Sequence, residues 1–207
     1  MEIALSSVSA GWAEVVALFA TEAAIRIPTR HGVSFDIAGL TIWVEDCGPQ
    51  NIPDGYLYPE LVRDYRERLF GSERDSSLFY QRLEHGTDFG DSHFSQTDQM
   101  YSTLALDPNS RAAVFSTWHP AKDYGIEFPV SPVGGSFRII DERLVLFVTA
   151  RSVDAWVGLV PELLTLARYA DDMAQRLGLR ESVLCYHSWS AHIYETDLLV
   201  YLTDGSI

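Results

Sequence analysis

Residues 154–177 carry the longest amphipathic pattern in the chain. Trp156, Leu159, Leu163, Leu166, Ala170, Met173 and Leu177 recur on one helical face, and Gly178 stops the run. The segment therefore reads as a long helix with one apolar face. The apolar run "RLVLFVTA" at 143–150 precedes it, and a β-rich stretch at 182–202, expected as a strand pair, follows it.

The rest of the chain supplies the other elements. Residues 10–25 read as a helix with Trp12, Val15, Val16 and Phe19 at helical spacing and serines before them as caps. Residues 33–46 alternate like two short strands around Gly39, and 59–70 read as a helix with Pro59 in its first turn. The stretch 72–97 is polar and poorly periodic, with a helical turn at 77–83. A strand is expected at 112–118, and "SFRIIDERLVLFVTAR" reads as a hairpin turning at Asp141 to Arg143. Helices mixed with mostly non-crossover strands predict a single α+β domain over 1–207, with one sheet.

Charge narrows the partners. A net charge of -14 argues against a nucleic-acid polymer, which binds basic surfaces that release counterions. Of the 15 basic residues, 14 are arginines and only Lys122 is a lysine. Arginine suits bidentate phosphate contacts, but composition bias explains the ratio as well, so position has to carry any phosphate argument. No apolar run is long enough to span a bilayer, no signal peptide is seen, and Cys47 and Cys185 form neither a metal-ligand spacing nor a disulfide framework. A cytoplasmic protein without metal or membrane partner is expected.

Four segments, in order, resemble the thymidylate synthase family: "TRHG" at 29–32, "LDPNSRAAVFSTWHP" at 106–120, the 150–179 segment beginning "ARSVDAWVG", and "SAHIYETD" at 190–197. The resemblance implies a thymidylate-synthase-like α+β fold, one mixed sheet packed with helices and a sheet face used for dimerisation. It implies a homodimer, or a heterodimer with a homologue, acting on a pyrimidine nucleoside 5′-monophosphate. Arg151, Arg30 and Arg111 match the family's phosphate-binding arginines, Arg111 reaching over from the partner subunit, and Ser152 adds a hydroxyl donor. His192 and Tyr194 match the pair that binds the sugar 3′-hydroxyl; their i, i+2 spacing puts both on one strand face. Asp154 matches an aspartate of the folate and active-site network, or it caps the helix that follows.

Departures from the family are as informative. The family's pyrimidine-reading asparagine falls on Glu162. A carboxylate accepts only, unless protonated, and so favours the amine of cytosine; otherwise Glu162 is an exposed first-turn residue favoured by the helix dipole. The catalytic cysteine falls on Ser131, in "PVSPVGGSF". A serine hydroxyl needs a base to become a nucleophile, and His119 is nearest by motif position. Ser131 is therefore expected to line the pyrimidine pocket. The second arginine of the phosphate pair is Ala112, and Glu84 is the nearest acidic residue to the family's proton-transfer glutamate. Methylenetetrahydrofolate is the one-carbon donor the family implies. Only 13 residues follow Tyr194, so a shortened C-terminus without the family's folate-closing segment is expected. The expected function is C5 methylation or hydroxymethylation of a UMP-, dUMP- or CMP-type nucleotide, the alternative a nucleotide binder without one-carbon transfer.

Overall fold

The computed structural model describes residues 1–70, 78–85, 95–127 and 129–204. Its elements are β1 (Glu2–Leu5), α1 (Val8–Leu18), β2 (Ile25–Thr29), β3 (Gly32–Val44), α2 (Pro59–Phe70), α3 (Leu78–His85), α4 (Gln96–Leu106), β4 (Val114–Ser116), α5 (Pro120–Asp123), β5 (Gly134–Ile140), β6 (Arg143–Ala150), β7 (Val153–Asp154), α6 (Leu159–Arg176), β8 (Ser182–Tyr194) and α7 (Glu195–Asp204). The strands form one mixed sheet in the order β1-β3-β8-β6-β5-β4, with β2 pairing β3 and β7 pairing β8. The chain is α+β with one mixed sheet, as expected.

The amphipathic segment is the central helix, α6, packed against β6 and β8. Leu159, Leu163, Leu166, Ala170 and Met173 are buried in it, as are Leu144, Leu146 and Val148 of β6 and Leu184 and Tyr186 of β8. The helix begins later than the pattern predicts, at Leu159. Residues 155–158 form a turn instead, because the Asp154 carboxylate takes the amides of Trp156 and Val157 at 2.9 and 3.0 Å. Asp154 thus caps a turn and not the helix, whose N-cap is Gly158 without a side-chain bond.

Several other boundaries move for physical reasons. The predicted helix over 10–25 is α1, capped by Ser7, whose Oγ accepts from Ala10 N at 3.2 Å. The two strands expected around Gly39 are one 13-residue strand, β3, in which Gly39 adopts φ +68 without breaking the register to β8. The last strand pair is instead one strand, β8, followed by α7: Leu198 is buried and Tyr201 packs on Trp156, contacts that override the β-like composition. The polar stretch before the strand at 114–116 ends in a helix, α4, with Ser95 capping Asp98 N. The hairpin turns on two residues, Asp141 and Glu142, both at positive φ, as a tight turn between twisted strands requires. No helix among the described residues is long and apolar enough to cross a membrane.

Side chains on the sheet face opposite α6 are not part of the main core. Val145, Phe147, Val183 and Cys185 alternate with the core-facing residues of β6 and β8. Trp43 of β3 stacks edge-on against Phe147 with ring centroids 6.0 Å apart, and its indole donates to Glu2 Oε1 at 2.8 Å.

Candidate functional site

β6 ends at Ala150, and the chain turns into Arg151 and Ser152 before β7 re-enters the sheet. β7 pairs in parallel with β8, Val153 opposite Ala191 and Asp154 opposite His192. The segment expected to hold phosphate is therefore joined to the strand expected to hold sugar. Ser152 Oγ lies 3.3 Å from His192 Nδ1, and the rings of His192 and Tyr194 meet edge to face at 5.4 Å.

Arg151 is half-buried, and its Nε and Nη2 both donate to the Pro129 carbonyl, at 3.3 and 2.8 Å. Burial lowers the affinity of its guanidinium for a proton, while Glu162 and Asp123 nearby favour the charge. Arg30, exposed in the β2–β3 turn, reaches the same segment through Glu127 at 3.8 Å. Two of the three predicted arginines thus contact Glu127 and Pro129. Arg111 does not join them: it is exposed ahead of β4, with no ion pair to the site among the described residues.

Ser131 sits at the head of the loop leading to β5, before a cis peptide to Pro132. Its hydroxyl donates to the Ser152 carbonyl at 3.1 Å. A carbonyl orients a hydroxyl but cannot take its proton, so this contact does not activate a nucleophile. His119 precedes α5 and gives its backbone amide to Asp123 Oδ2 at 2.7 Å. The two segments are coupled through Thr117, whose hydroxyl donates to the Pro132 carbonyl. Beneath them Arg82 donates to both Asp123 oxygens and to the Thr117 carbonyl.

Glu162 is not the exposed first-turn residue that the helix position allows; it is 7 % exposed. Burial pushes its carboxyl up to about 7, against a weaker downward pull from Tyr186 and Arg151. Tyr186 lies beside it, yet neither Tyr186 Oη nor Glu162 Oε1 has a hydrogen-bond partner of ordinary geometry among the described residues. Tyr65 of α2 is close enough for Glu162 to raise its hydroxyl further, to about 12, above what burial alone does. Glu84 lies elsewhere. Its carboxylate accepts from Ser95 and Thr97, in a cavity of about 330 Å³ bounded by α2, α3, α4 and α6.

Tyr186, Tyr65, Arg82 and Asp123 had no signal in the sequence, since each is recognisable only from a partner distant along the chain. The pairing of Asp154 with His192 comes from strand register, which motif order does not give. Residues 88–94, within the polar stretch 72–97, lie outside the described residues. Among the described residues no group of three or more His, Cys, Asp or Glu side chains could hold a metal ion.

Comparison with known proteins identifies the family. The family model described as thymidylate synthase matches residues 34–201. A protein of Methanopyrus kandleri named "Putative thymidylate synthase" is 28% identical over 183 residues, covering 84% of this chain and 83% of that protein. One of the same name from Methanothermobacter thermautotrophicus is 29% identical over 147 residues, 70% of this chain and 65% of the relative. The thymidylate synthase of Haloferax volcanii is 32% identical over 101 residues, 49% of this chain and 30% of its own length. With the family match running through β3, the Arg151–Asp154 segment and β8, this chain belongs to the thymidylate synthase family, whose enzymes act on pyrimidine nucleotides.

Proposed function

We propose that the chain binds a pyrimidine nucleoside 5′-monophosphate and acts on C5 of its base, by methylation or hydroxymethylation. The observation that carries this reading is the register of β7 on β8, which sets Asp154 opposite His192 and, with Ser152 Oγ 3.3 Å from His192 Nδ1, joins the turn after β6 to that strand. The phosphate would lie between the Arg151 and Arg30 guanidinium groups and the Ser152 hydroxyl. Its charge would be matched by charge-assisted bonds, with Arg111 supplied by a second copy of the chain. The sugar would lie against His192 and Tyr194.

The base would meet Glu162. A buried carboxyl oxygen without a partner is costly, and a base edge can satisfy it. At the exocyclic 4 position Glu162 would accept from the amine of cytosine when ionised, above about pH 7, and donate to the carbonyl of uracil when protonated, below it, so a CMP-type substrate is favoured on the alkaline side. Ser131 would line the pyrimidine pocket. Asp154 is the described residue that matches a folate contact of the family, and its Oδ1 is held by two backbone amides. One carboxylate does not define a folate subsite, and the one-carbon donor is a question for the assay.

A second reading, nucleotide binding without one-carbon transfer, is favoured by Ser131 itself, whose hydroxyl is directed at a carbonyl and not at a base. One experiment separates the two. The protein is incubated with dUMP, UMP, dCMP and CMP tritiated at C5, with and without methylenetetrahydrofolate, and released tritium is counted. Release from one nucleotide supports the enzyme and names its substrate. Binding of a nucleotide with no release from any of the four supports the second reading.

A further inference from the structure

A second carboxylate stands in the row that holds His192. β3 and β8 pair antiparallel with Asp36 directly opposite His192, while Asp154 lies opposite the same residue on its other side. Directly opposed residues share a sheet face, with Cα atoms about 5 Å apart. Ile37, Ala191 and Ile193 are buried in the core, which leaves Asp36, Ser190, His192 and Tyr194 on the opposite face. Ser190 Oγ lies 3.0 and 2.8 Å from the two oxygens of Asp36. A serine has one proton to give, so it orients the carboxylate and leaves most of its acceptor capacity open.

Resting on the reading that His192 and Tyr194 take the sugar, we propose that Asp36 accepts a hydrogen bond from the ribose 2′-hydroxyl and so selects ribonucleotides over deoxyribonucleotides. The 2′-hydroxyl is the immediate neighbour of the 3′-hydroxyl on the ring, and Asp36 is the immediate neighbour of His192 in the sheet. A carboxylate accepts and does not donate, so it suits a hydroxyl and repels a phosphate. Asp36 is in register with the sugar residues and not with Glu162, which lies on α6. A deoxyribose would set a C–H group against the carboxylate and leave it without that donor. Bonds to charged groups are the stronger ones, so the loss corresponds to roughly tenfold or more in affinity.

Calorimetry with CMP, dCMP, UMP and dUMP at one pH and ionic strength tests this directly. The wild-type protein is expected to bind CMP or UMP at least tenfold tighter than its deoxy counterpart. Asp36→Ala is expected to bring that ratio close to one by weakening the ribonucleotide alone, and Ser190→Ala to fall between the two. Equal affinity of the wild type for ribo and deoxy forms overturns the proposal while nucleotide binding stands, as does an unchanged ratio in Asp36→Ala. Should Asp36→Ala fail to fold, the wild-type ratio and Ser190→Ala decide. Failure to bind any of the four removes the nucleotide reading and this proposal with it.

Discussion

The guanidinium of Arg82 grips both carboxylate oxygens of Asp123, 41 residues away, with side chains that are 7% and 0% exposed. These bonds hold the Asp123 carboxyl below the usual carboxylate range. Removing one partner leaves the other charge buried and unpaired, which costs about 3–5 kcal/mol. Arg82→Met should therefore unfold at much lower urea, and Arg82→Met/Asp123→Leu should recover part of the loss. Since the folded pKa of Asp123 is depressed, its contribution is present above its unfolded value and is lost as pH falls through the folded one. The gap between wild type and Asp123→Asn should thus shrink in acid. Equal urea midpoints for wild type and Arg82→Met at neutral pH would dismiss the role.

The glycines of "PVSPVGGSF" are explained by crowding. A Cβ on Gly135 would stand 2.2 Å from the Phe147 carbonyl and 2.7 Å from the Phe115 ring, and one on Gly134 would stand 2.8 Å from the Phe115 carbonyl. Two of these three neighbours are backbone atoms and cannot swing aside. Gly135→Ala should cost about 1–3 kcal/mol or more and lower the melting temperature accordingly. A variant as stable as wild type would mean that β4 and β5 do not pack as described.

Glu162 makes stability fall with pH. Its carboxyl is raised from 4.5 to about 7 by burial, so the folded chain holds a proton that the unfolded chain releases. The stabilisation from that proton is full below the unfolded pKa and is lost as pH rises through about 7. The difference of about two and a half pKa steps corresponds to about 3 kcal/mol. Glu162→Gln should therefore gain on wild type between pH 5 and pH 8 in urea melts. Parallel pH profiles would show that Glu162 is not buried as a carboxyl.

Legibility in the sequence followed the range of the interaction that fixes each element. The buried face of α6 was readable because Leu159, Leu163, Leu166 and their successors mark it locally. The end of β8 was not, because Leu198 and Tyr201 become helical through contacts with residues far earlier in the chain. In the site, Arg151, Ser152, His192 and Tyr194 were named from motif order, and the structure seats Ser152 on His192. Asp36, Ser190, Tyr186 and the Arg82–Asp123 pair went unseen, since strand register and burial, not spacing, make them neighbours. Glu162 was visible as a position, but its burial was not.

Arg151 is expected to dominate phosphate affinity. Its Nε and Nη2 are occupied by the Pro129 carbonyl, so the guanidinium is oriented before any ligand arrives. Arg151→Ala should weaken CMP or UMP binding by well over tenfold, as loss of a charge-assisted contact implies. Arg151→Lys should recover only part, because an ammonium cannot hold Pro129 and a phosphate in one planar fork. Calorimetry on variants of unchanged melting temperature reads this out, and unchanged affinity in Arg151→Ala would remove the phosphate assignment.

The open sheet face supplies the last test. On the side away from α6 the half-buried rings of Trp43 and Phe147 lie over a sheet face whose Val145, Val183 and Cys185 are buried, aromatic anchors of the kind that interfaces favour. Sedimentation should give a dimer, and Phe147→Asp, which sets a charge into that surface, should give a monomer. If Arg111 completes the partner's phosphate site, the Phe147→Asp monomer should lose most nucleotide affinity although its own Arg30, Arg151 and Ser152 are intact. Mixed dimers of Arg111→Ala and Arg151→Ala chains make the point without disturbing the interface. One of their two sites carries both substitutions and the other carries neither, so half of the sites should bind with wild-type affinity, while each parent binds weakly at both. A monomer that binds as tightly as the dimer, or mixed dimers no better than their parents, would place Arg111 outside the site.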